Sequence, residues 1–214
     1  MKKIISLALA TIITITALAQ EDKKAKEILD QVSAKTKAYK TITAEFTNTL
    51  DNQRDKVKET NKGTISIKGN KYKLNYLGAD IYSDGKTVWT YQKDANEVTI
   101  TEPDLADDQT LNPAKIFTIY EKGYKYKFIQ ERFEKARALY EIELYPIDRK
   151  KNFSKIKLQI DKTKMQLFSV KYYGSDGNNY TIEILKINPN TEISEAIFLF
   201  EKAKYPKVEV IDMR

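Results

Sequence analysis

The chain has 214 residues, a formal net charge of +7, and neither cysteine nor histidine. These absences exclude disulfides, thiolate nucleophiles, a lipid-modified cysteine and serine–histidine catalytic pairs, and they remove the ligands of most transition-metal sites. The positive charge is typical either of a well-solvated surface or of attraction to an acidic partner or an anionic headgroup surface.

The first 19 residues have the pattern of a cleaved secretion signal. A basic start, Met1-Lys2-Lys3, precedes an apolar run over residues 4–18, and Ala17-Leu18-Ala19 offers small residues at the cleavage site. The apolar run is shorter than the roughly 20 residues of a bilayer-spanning helix. We expect residues 1–19 to be removed and residues 20–214 to form a single domain. No concentrated basic stripe is present, so nucleic acid is not an expected partner.

The pattern of the next residues changes from helix to strand. Residues 21–39 have the period of an amphipathic helix with one narrow apolar stripe. From Thr41 the period becomes two, which predicts strands over 41–50, 63–68, 71–77, the residues up to 83, 87–92 and 97–101. A polar connection is expected over 52–61, and Asp84-Gly85 is a strong hairpin signal.

After an acidic break at 102–108, the Asn112-Pro113 pair predicts a short second helix ending near Gly123. Strands are then expected over 125–132, 136–145, 155–160, 166–173, 179–187 and 197–201, and residues 205–214 close the chain. About eleven strands with short turns indicate one antiparallel meander. Such a meander can close into a barrel, stack as a sandwich, or curl partway under a cover of helices. The helices here are too few and too narrow to cover both faces of a flat sheet, but they can form a lid over a curved one.

Apolar side chains on the strands and the second helix fit either a filled core or the lining of an apolar ligand cavity. Periodicity alone does not separate the two. The candidates for ligand contact are Phe46, Ile65, Ile67, Tyr72, Leu74, Tyr76, Trp89, Phe117 and Phe128. No cofactor and no metal site is expected from these residue types.

One hairpin suggests a family. Residues 82–91, Tyr-Ser-Asp-Gly-Lys-Thr-Val-Trp-Thr-Tyr, closely resemble a hairpin of the LolA family, the periplasmic outer-membrane lipoprotein carrier proteins. Ala-Glu-Phe-Thr at 44–47 and Gly-Thr-Ile-Ser-Ile-Lys at 63–68 are similar to earlier strands of that family. The resemblance covers most of the chain as an ordered pattern, but only the hairpin is specific.

The resemblance implies a function. It implies an unclosed barrel whose helices cover an apolar cavity for lipoprotein acyl chains. It also implies a monomeric, non-enzymatic carrier in the periplasm, with an ATP-driven lipoprotein-releasing complex of the inner membrane and an acceptor at the outer membrane as partners. The family arginine that ties the lid to the barrel is missing here, where the chain reads Lys68-Gly69-Asn70. Either the lid is held differently, or Lys68, Lys71 or Lys73 substitutes.

Other interpretations stay open. A domain of the same architecture could sense lipids and bind a regulatory protein without transport. A β-rich hydrolase could use Glu141 and Glu143, which share one strand face. Arg149-Lys150-Lys151 is either a solvated turn or a docking patch for a membrane partner.

Overall fold

The computed structural model describes residues 22–103 and 115–214. In these residues the chain forms one α-helix, α1, at Lys23–Lys37, and a single 12-stranded sheet. The strands of the first half are β1 (Ile42–Asn52), β2 (Val57–Lys68), β3 (Lys71–Tyr76), β4 (Ala79–Ser83), β5 (Val88–Gln92) and β6 (Glu97–Thr101). Those of the second half are β7 (Tyr124–Glu134), β8 (Arg137–Pro146), β9 (Phe153–Asp161), β10 (Gln166–Gly174), β11 (Asn179–Pro189) and β12 (Glu209–Asp212).

The sheet consists of two antiparallel meanders joined side by side. Strands β1–β6 follow one another, as do β7–β11, and β1 pairs with β11 in a register that places Ala44 opposite Ile187. The short β12 pairs in parallel with β6. The sheet therefore ends at β12 and β7, which do not pair with each other, and the expected mainly β, unclosed architecture is confirmed.

Helix α1 begins where the sequence supplies a cap. The carboxylate of Asp22 accepts a hydrogen bond from the backbone N–H of Ala25 at 3.0 Å, and Lys35 and Lys37 lie in the last turn, where they oppose the helix dipole. The buried side chains Ala25, Ile28, Leu29 and Val32 form one stripe. Each large apolar side chain buried in this way contributes about 1.5–3 kcal/mol. No described helix is long and apolar enough to cross a bilayer.

Several predicted elements differ from the structure. The described residues hold twelve strands, and the polar stretch expected as a connection is mostly strand, because β1 runs to Asn52 and β2 begins at Val57. The last strand is parallel, not part of an antiparallel meander. The strand predicted over 197–201 is wrong: a 3-10 turn occupies Glu195–Phe198, and the Ser194 side chain caps it.

The second predicted helix lies partly outside the described residues. Its described part forms a 3-10 turn at Ile119–Glu121 and no α-helix, so the lid in the described residues consists of α1 alone. The predicted secretion signal and the acidic break from Asp104 onward also lie outside the described residues.

Candidate functional site

Two hydrophobic clusters lie on opposite faces of the sheet. The larger cluster joins the stripe of α1 to alternate residues of β1–β3 and β8–β11, such as Ile65, Tyr72 and Leu158. We call this side the helix-covered face. The smaller cluster contains Tyr82, Tyr91, Val98 and Val208, with Trp89, Phe200 and Tyr205 packed against it. Because successive side chains of a strand alternate between faces, Ile81 belongs to the first cluster and Tyr82 to the second.

Polar contacts fasten α1 to one end of the helix-covered face. Its backbone contacts β7, β10 and the 3-10 turn Ile119–Glu121. The carboxylate of Asp22 accepts from the backbone N–H of Phe128 at 2.7 Å, and Lys24 forms an ion pair with Glu131 at 3.2 Å. Near the other end of the helix, the carboxylate of Glu121 accepts from Ser33 and pairs with Lys37 at 2.9 Å.

Away from α1, the helix-covered face carries an apolar strip that is only half-buried. We define the apolar strip as Phe46, Leu74, Tyr76 and Ile81, on β1, β3 and β4. The rings of Phe46 and Tyr76 lie 5.9 Å apart, and the side-chain amide of Asn48 donates to the Tyr76 hydroxyl at 2.9 Å. The strip therefore continues the core surface beyond the area that α1 contacts.

A glycine creates the space for the central ring of the apolar strip. Gly63 of β2 is paired with Phe46, and a Cβ atom built on Gly63 would lie 2.4 Å from Phe46 Cζ and 2.9 Å from the carbonyl oxygen of Asn75. The Phe46 ring therefore packs closely over Gly63, in space that any side chain at position 63 would fill.

The nine predicted ligand-contact residues divide into three groups. Ile65, Ile67, Tyr72 and Phe117 are buried in the larger cluster. Phe46, Leu74, Tyr76 and Phe128 are half-buried on the helix-covered face. Phe128 lies at the β7 edge, where the Lys24 ammonium is 3.8 Å from the centre of its ring.

The structure does not bring Trp89, the third group, together with the other eight residues. Trp89 is paired with Tyr82 and lies in the smaller cluster, on the face opposite α1. A residue that sequence reasoning did not single out, Ile81, takes part in the apolar strip instead. Alternation on β4 offered a signal for Ile81. Tyr82 beside it is also large and partly apolar, however, and only the pairing of Ile81 with Leu74 assigns the face.

The interior beneath α1 is filled by side chains of the chain itself. Ala25 and Val32 of the helix and Ile142, Ile156 and Leu158 of the sheet are all 0% exposed. One open cleft of about 640 Å³ is lined by Lys40, Thr41, Lys68 and residues 190–194, and a second of about 260 Å³ lies beside Tyr82 and Tyr205. Neither is the expected apolar cavity under the helix, so an apolar ligand on this face has to take the place of the helix stripe or lie along the apolar strip.

The C-terminal segment covers the smaller cluster. We call residues 190–212 the strap: it brings Phe200 and Tyr205, which stack at 4.7 Å, onto Tyr91 of β5 and then adds β12 to the edge of the sheet. The Tyr82 and Tyr205 hydroxyls lie 3.0 Å apart. Sequence patterns did not indicate this packing, because the strap contacts strands that precede it by about 100 residues.

The lysines near the missing family arginine hold the strap and not the helix. Lys68 and Lys71 each contact Glu195, with Nζ–O distances of 2.6 and 2.7 Å, and hydrogen bonds from these two lysines lower the pKa of Glu195 to about 2. The Lys73 ammonium lies 5.1 Å from the centre of the Tyr82 ring. Of the two alternatives, the lid is held differently: α1 is fastened to β7 and the 3-10 turn Ile119–Glu121.

The paired carboxylates of β8 lie on the face opposite α1 and are each neutralised by lysine. Glu141 contacts Lys157 at 2.8 Å, and Glu143 contacts Lys155 at 2.6 Å. Burial raises the pKa of Glu143, but hydrogen bonds from Lys155 and Tyr145 outweigh it, and the pKa ends below its ordinary value. A glycosidase acid requires a raised pKa, so Glu143 does not have the electrostatics of that acid.

A family model matches most of the chain. The model described as "Outer membrane lipoprotein carrier protein LolA" matches residues 37–201, which include β1 to β11 and the first part of the strap. The chain belongs to this family. An outer-membrane lipoprotein carrier protein of Hahella chejuensis (strain KCTC 2396) is 26% identical over 202 residues, which is 91% of this chain and 94% of that protein.

Solved structures resemble this chain to different degrees. An uncharacterized conserved protein from Thermus thermophilus aligns with a TM-score of 0.58 at 14% identity, covering 88% of this chain and 99% of that one. A LolA superfamily protein from Nitrosomonas europaea aligns with a TM-score of 0.44 at 12% identity, over 82% of this chain and 97% of that one. The similarity to the Thermus protein supports the fold and gives no information about a ligand.

Proposed function

We propose that this protein is a periplasmic, non-enzymatic carrier that binds the acyl chains of lipoproteins on its helix-covered face and moves them from the inner to the outer membrane. Membership of the LolA family and the name of the Hahella relative support this function. The observation that carries the proposal is the apolar strip, because its half-buried side chains continue a buried apolar surface that α1 covers only in part.

The magnitude of acyl burial explains why a carrier needs a removable cover. Burying about 15 methylenes stabilises a complex by on the order of 12 kcal/mol, at ~0.8 kcal/mol for each methylene. A permanently open apolar groove would bind too tightly for release. The apolar stripe of α1 competes with the acyl chain for the same surface of the sheet. An incoming acyl chain must displace Ile28, Leu29 and Val32 from the sheet before it is buried there itself.

The contacts of α1 suit such exchange. Apart from its apolar stripe, the helix is held by a few polar contacts near its two ends, and the Lys24–Glu131 pair is solvent-exposed. Exposed ion pairs contribute about 0–1 kcal/mol each, so they orient the helix without locking it. In this proposal an inner-membrane ATP-driven complex loads the monomeric carrier, and an outer-membrane acceptor unloads it.

A fluorescent triacylated peptide tests the binding site. We expect the wild-type chain to bind this peptide and keep it in solution, and not to bind its non-acylated form. Leu74→Asp, in the apolar strip, should weaken binding by about tenfold or more, because one charge opposes burial of the chain. Leu199→Asp, an exposed leucine of the strap, is the matched control and should bind normally. Equal binding by both variants would place the ligand elsewhere.

A reversible lock tests the exchange of helix for ligand. The chain has no cysteine, so Ser33→Cys with Glu121→Cys introduces one defined pair where α1 contacts the 3-10 turn Ile119–Glu121. The oxidised form should lose peptide binding and recover it on reduction. Thr49→Cys with Thr60→Cys, across β1 and β2, is the control and should bind in both states. Undiminished binding by the locked helix would contradict the exchange.

Transport and sensing differ in release. A carrier accepts lipoproteins from inner-membrane vesicles when the releasing complex is supplied with ATP. A protein that binds the acylated peptide and a regulatory partner, but takes nothing from such vesicles, would be a lipid sensor of the same fold.

A further inference from the structure

The face opposite α1 carries a row of three lysines and one glutamate across four strands. Lys127 of β7, Glu143 of β8, Lys157 of β9 and Lys171 of β10 are successive cross-strand partners. Directly opposed residues share a face, so these four side chains lie on one side of the sheet, and the row is about 14 Å wide at ~4.8 Å for each strand. Their chain neighbours on β8–β10, including Ile142, Ile156 and Val170, belong to the larger cluster on the other face.

The next row toward the β8–β9 turn is also basic. Lys125 is paired with Tyr145, and Lys155 is paired with Tyr173. The ammonium groups of Lys155 and Lys171 lie 5.0 and 4.9 Å from the centre of the Tyr173 ring. The turn between β8 and β9 then supplies the tribasic run at residues 149–151. We call these eight cationic residues and their two tyrosines the basic face.

Carboxylates neutralise only part of the basic face. Lys155 and Lys157 pair with Glu143 and Glu141, and Asp148 lies in the turn. Lys125, Lys127 and Lys171 form no ion pair with any carboxylate in the described ranges 22–103 and 115–214. The five lysines of the two rows stand against the carboxylates of Glu141 and Glu143, which leaves a net charge of +3 on the strands of the basic face.

We propose that the basic face docks the protein on an anionic phospholipid bilayer. Lysines close to such a surface attract anionic headgroups. Tyrosine side chains have one apolar and one polar end, which suits the headgroup layer. Tyr145 of the basic face is 37% exposed and is therefore accessible to a bilayer. Neither cleft described above, which could receive the aromatic or aliphatic anchor of a protein partner, is lined by residues of the basic face.

Docking through the basic face does not block the helix-covered face. The basic face and α1 lie on opposite sides of β7–β10, so bilayer contact does not compete with acyl binding for any residue. The inference goes beyond the proposed function and does not depend on it. A protein that fails to bind acylated peptide can still dock, and the two results are measured separately.

Vesicle co-sedimentation of the cargo-free full chain tests the docking. The probes are vesicles of phosphatidylcholine alone and of phosphatidylcholine with phosphatidylglycerol, at about 20 mM and about 500 mM salt. We expect binding to the phosphatidylglycerol vesicles at low salt only. The triple variant Lys125→Glu, Lys127→Glu and Lys171→Glu should lose about 100-fold in vesicle affinity, since each lysine near the surface contributes to attraction.

A second triple variant separates location from net charge. Lys86→Glu, Lys202→Glu and Lys207→Glu change three exposed lysines in the β4–β5 turn and the strap, and they alter the total charge by the same amount. This variant should keep most of the vesicle affinity. Equal losses of vesicle affinity in both variants would overturn the proposal. Failure of the wild-type chain to bind vesicles at low salt would also overturn it, including the case in which the chain binds an acidic protein instead.

Discussion

The carboxylate of Asp22 joins the start of α1 to the backbone of Phe128 in the edge strand β7. One carboxylate oxygen accepts from the Ala25 N–H at 3.0 Å, and the other accepts from the Phe128 N–H at 2.7 Å. Among the described strands β7 pairs only with β8, so the Phe128 N–H is one of the edge donors that a second chain could otherwise use. A single side chain thus caps the lid helix and blocks part of an open sheet edge.

Replacing Asp22 should therefore destabilise the folded protein more than replacing an ordinary helix-capping residue. We expect Asp22→Ala to lower the free energy of unfolding by about 2–3 kcal/mol, because it removes a cap and leaves an edge N–H without its acceptor. Urea unfolding followed by circular dichroism measures this. Asp30→Ala, which removes only the exposed pair with Lys26, should change stability by less than about 0.5 kcal/mol. Similar values for the two variants would show that the Phe128 contact does not stabilise the fold.

The placement of Trp89 predicts what its fluorescence reports. Trp89 packs in the smaller cluster with Phe200 and Tyr205, so Phe200→Ala should shift its emission to longer wavelength by exposing the indole to water. Phe46→Ala, a truncation of similar size on the helix-covered face, should leave the emission maximum unchanged. Steady-state emission spectra of the native variants make the comparison. A shift with Phe46→Ala alone would contradict the separation of the two faces.

The contact between Glu195 and its two lysines predicts acid sensitivity of the strap. Hydrogen bonds from Lys68 and Lys71 lower the pKa of Glu195 from 4.5 to about 2. A group with a lowered pKa stabilises the folded state above its unfolded pKa, so this contribution is complete above about pH 4.5 and is lost as the pH falls toward 2. The strap should therefore loosen in that window.

Trp89 emission in Glu195→Gln and the wild type measures this loosening. The variant lacks the charge throughout, so the two proteins should differ at pH 6 and converge near about pH 2. Glu201→Gln removes a carboxylate whose ion pair among the described residues lies within the strap, with Lys204, and the variant should follow the wild-type curve. A constant difference between Glu195→Gln and the wild type at every pH would mean that ionisation of Glu195 does not hold the strap.

The close contact at Gly63 predicts that an alanine at this position destabilises the protein. Gly63→Ala places a methyl group against both the Phe46 ring and the Asn75 carbonyl, and we expect a loss of about 1–3 kcal/mol in unfolding free energy. Adding Phe46→Leu should recover part of this loss, because leucine lacks the ring atoms nearest the new methyl group, whereas the Asn75 carbonyl remains. Gly69→Ala, where a new Cβ meets nothing within 4 Å, carries only the cost of its positive φ. A neutral Gly63→Ala would contradict the close packing of Phe46 over Gly63.

Local signals in the sequence predicted most of the sheet. The Asp84-Gly85 turn forms as expected: the Asp84 carboxylate accepts from the backbone N–H groups of Lys86 and Thr87 at 2.8 Å, and Gly85 has a φ of +90°. Strand alternation and the helix stripe at Ile28 and Val32 are also local, because each depends on spacing within one element. The family resemblance drawn from the hairpin is confirmed by the family match over residues 37–201.

Long-range packing was not predictable in the same way. Trp89 alternates as a cavity residue would, and only the strap, about 100 residues later in the chain, shows that it faces the smaller cluster. Ile197 and Leu199 have the spacing of a strand, yet Phe198 between them is the residue that is 0% exposed, because the Ser194 cap turns the backbone into a 3-10 helix. The filled space under α1 likewise depends on how side chains of distant strands meet.

The pairing of β1 with β11 has a consequence for how the protein folds. The register sets Ile42 beside Pro189, so nearly the whole polypeptide has to emerge before the two meanders can join. Each meander can form early from neighbouring strands, whereas the seam between them closes a very long loop and is intrinsically slow. Until the seam closes, the edge of β1 that later pairs with β11 is exposed, and in that interval the nascent chain is most prone to aggregate and most in need of a chaperone.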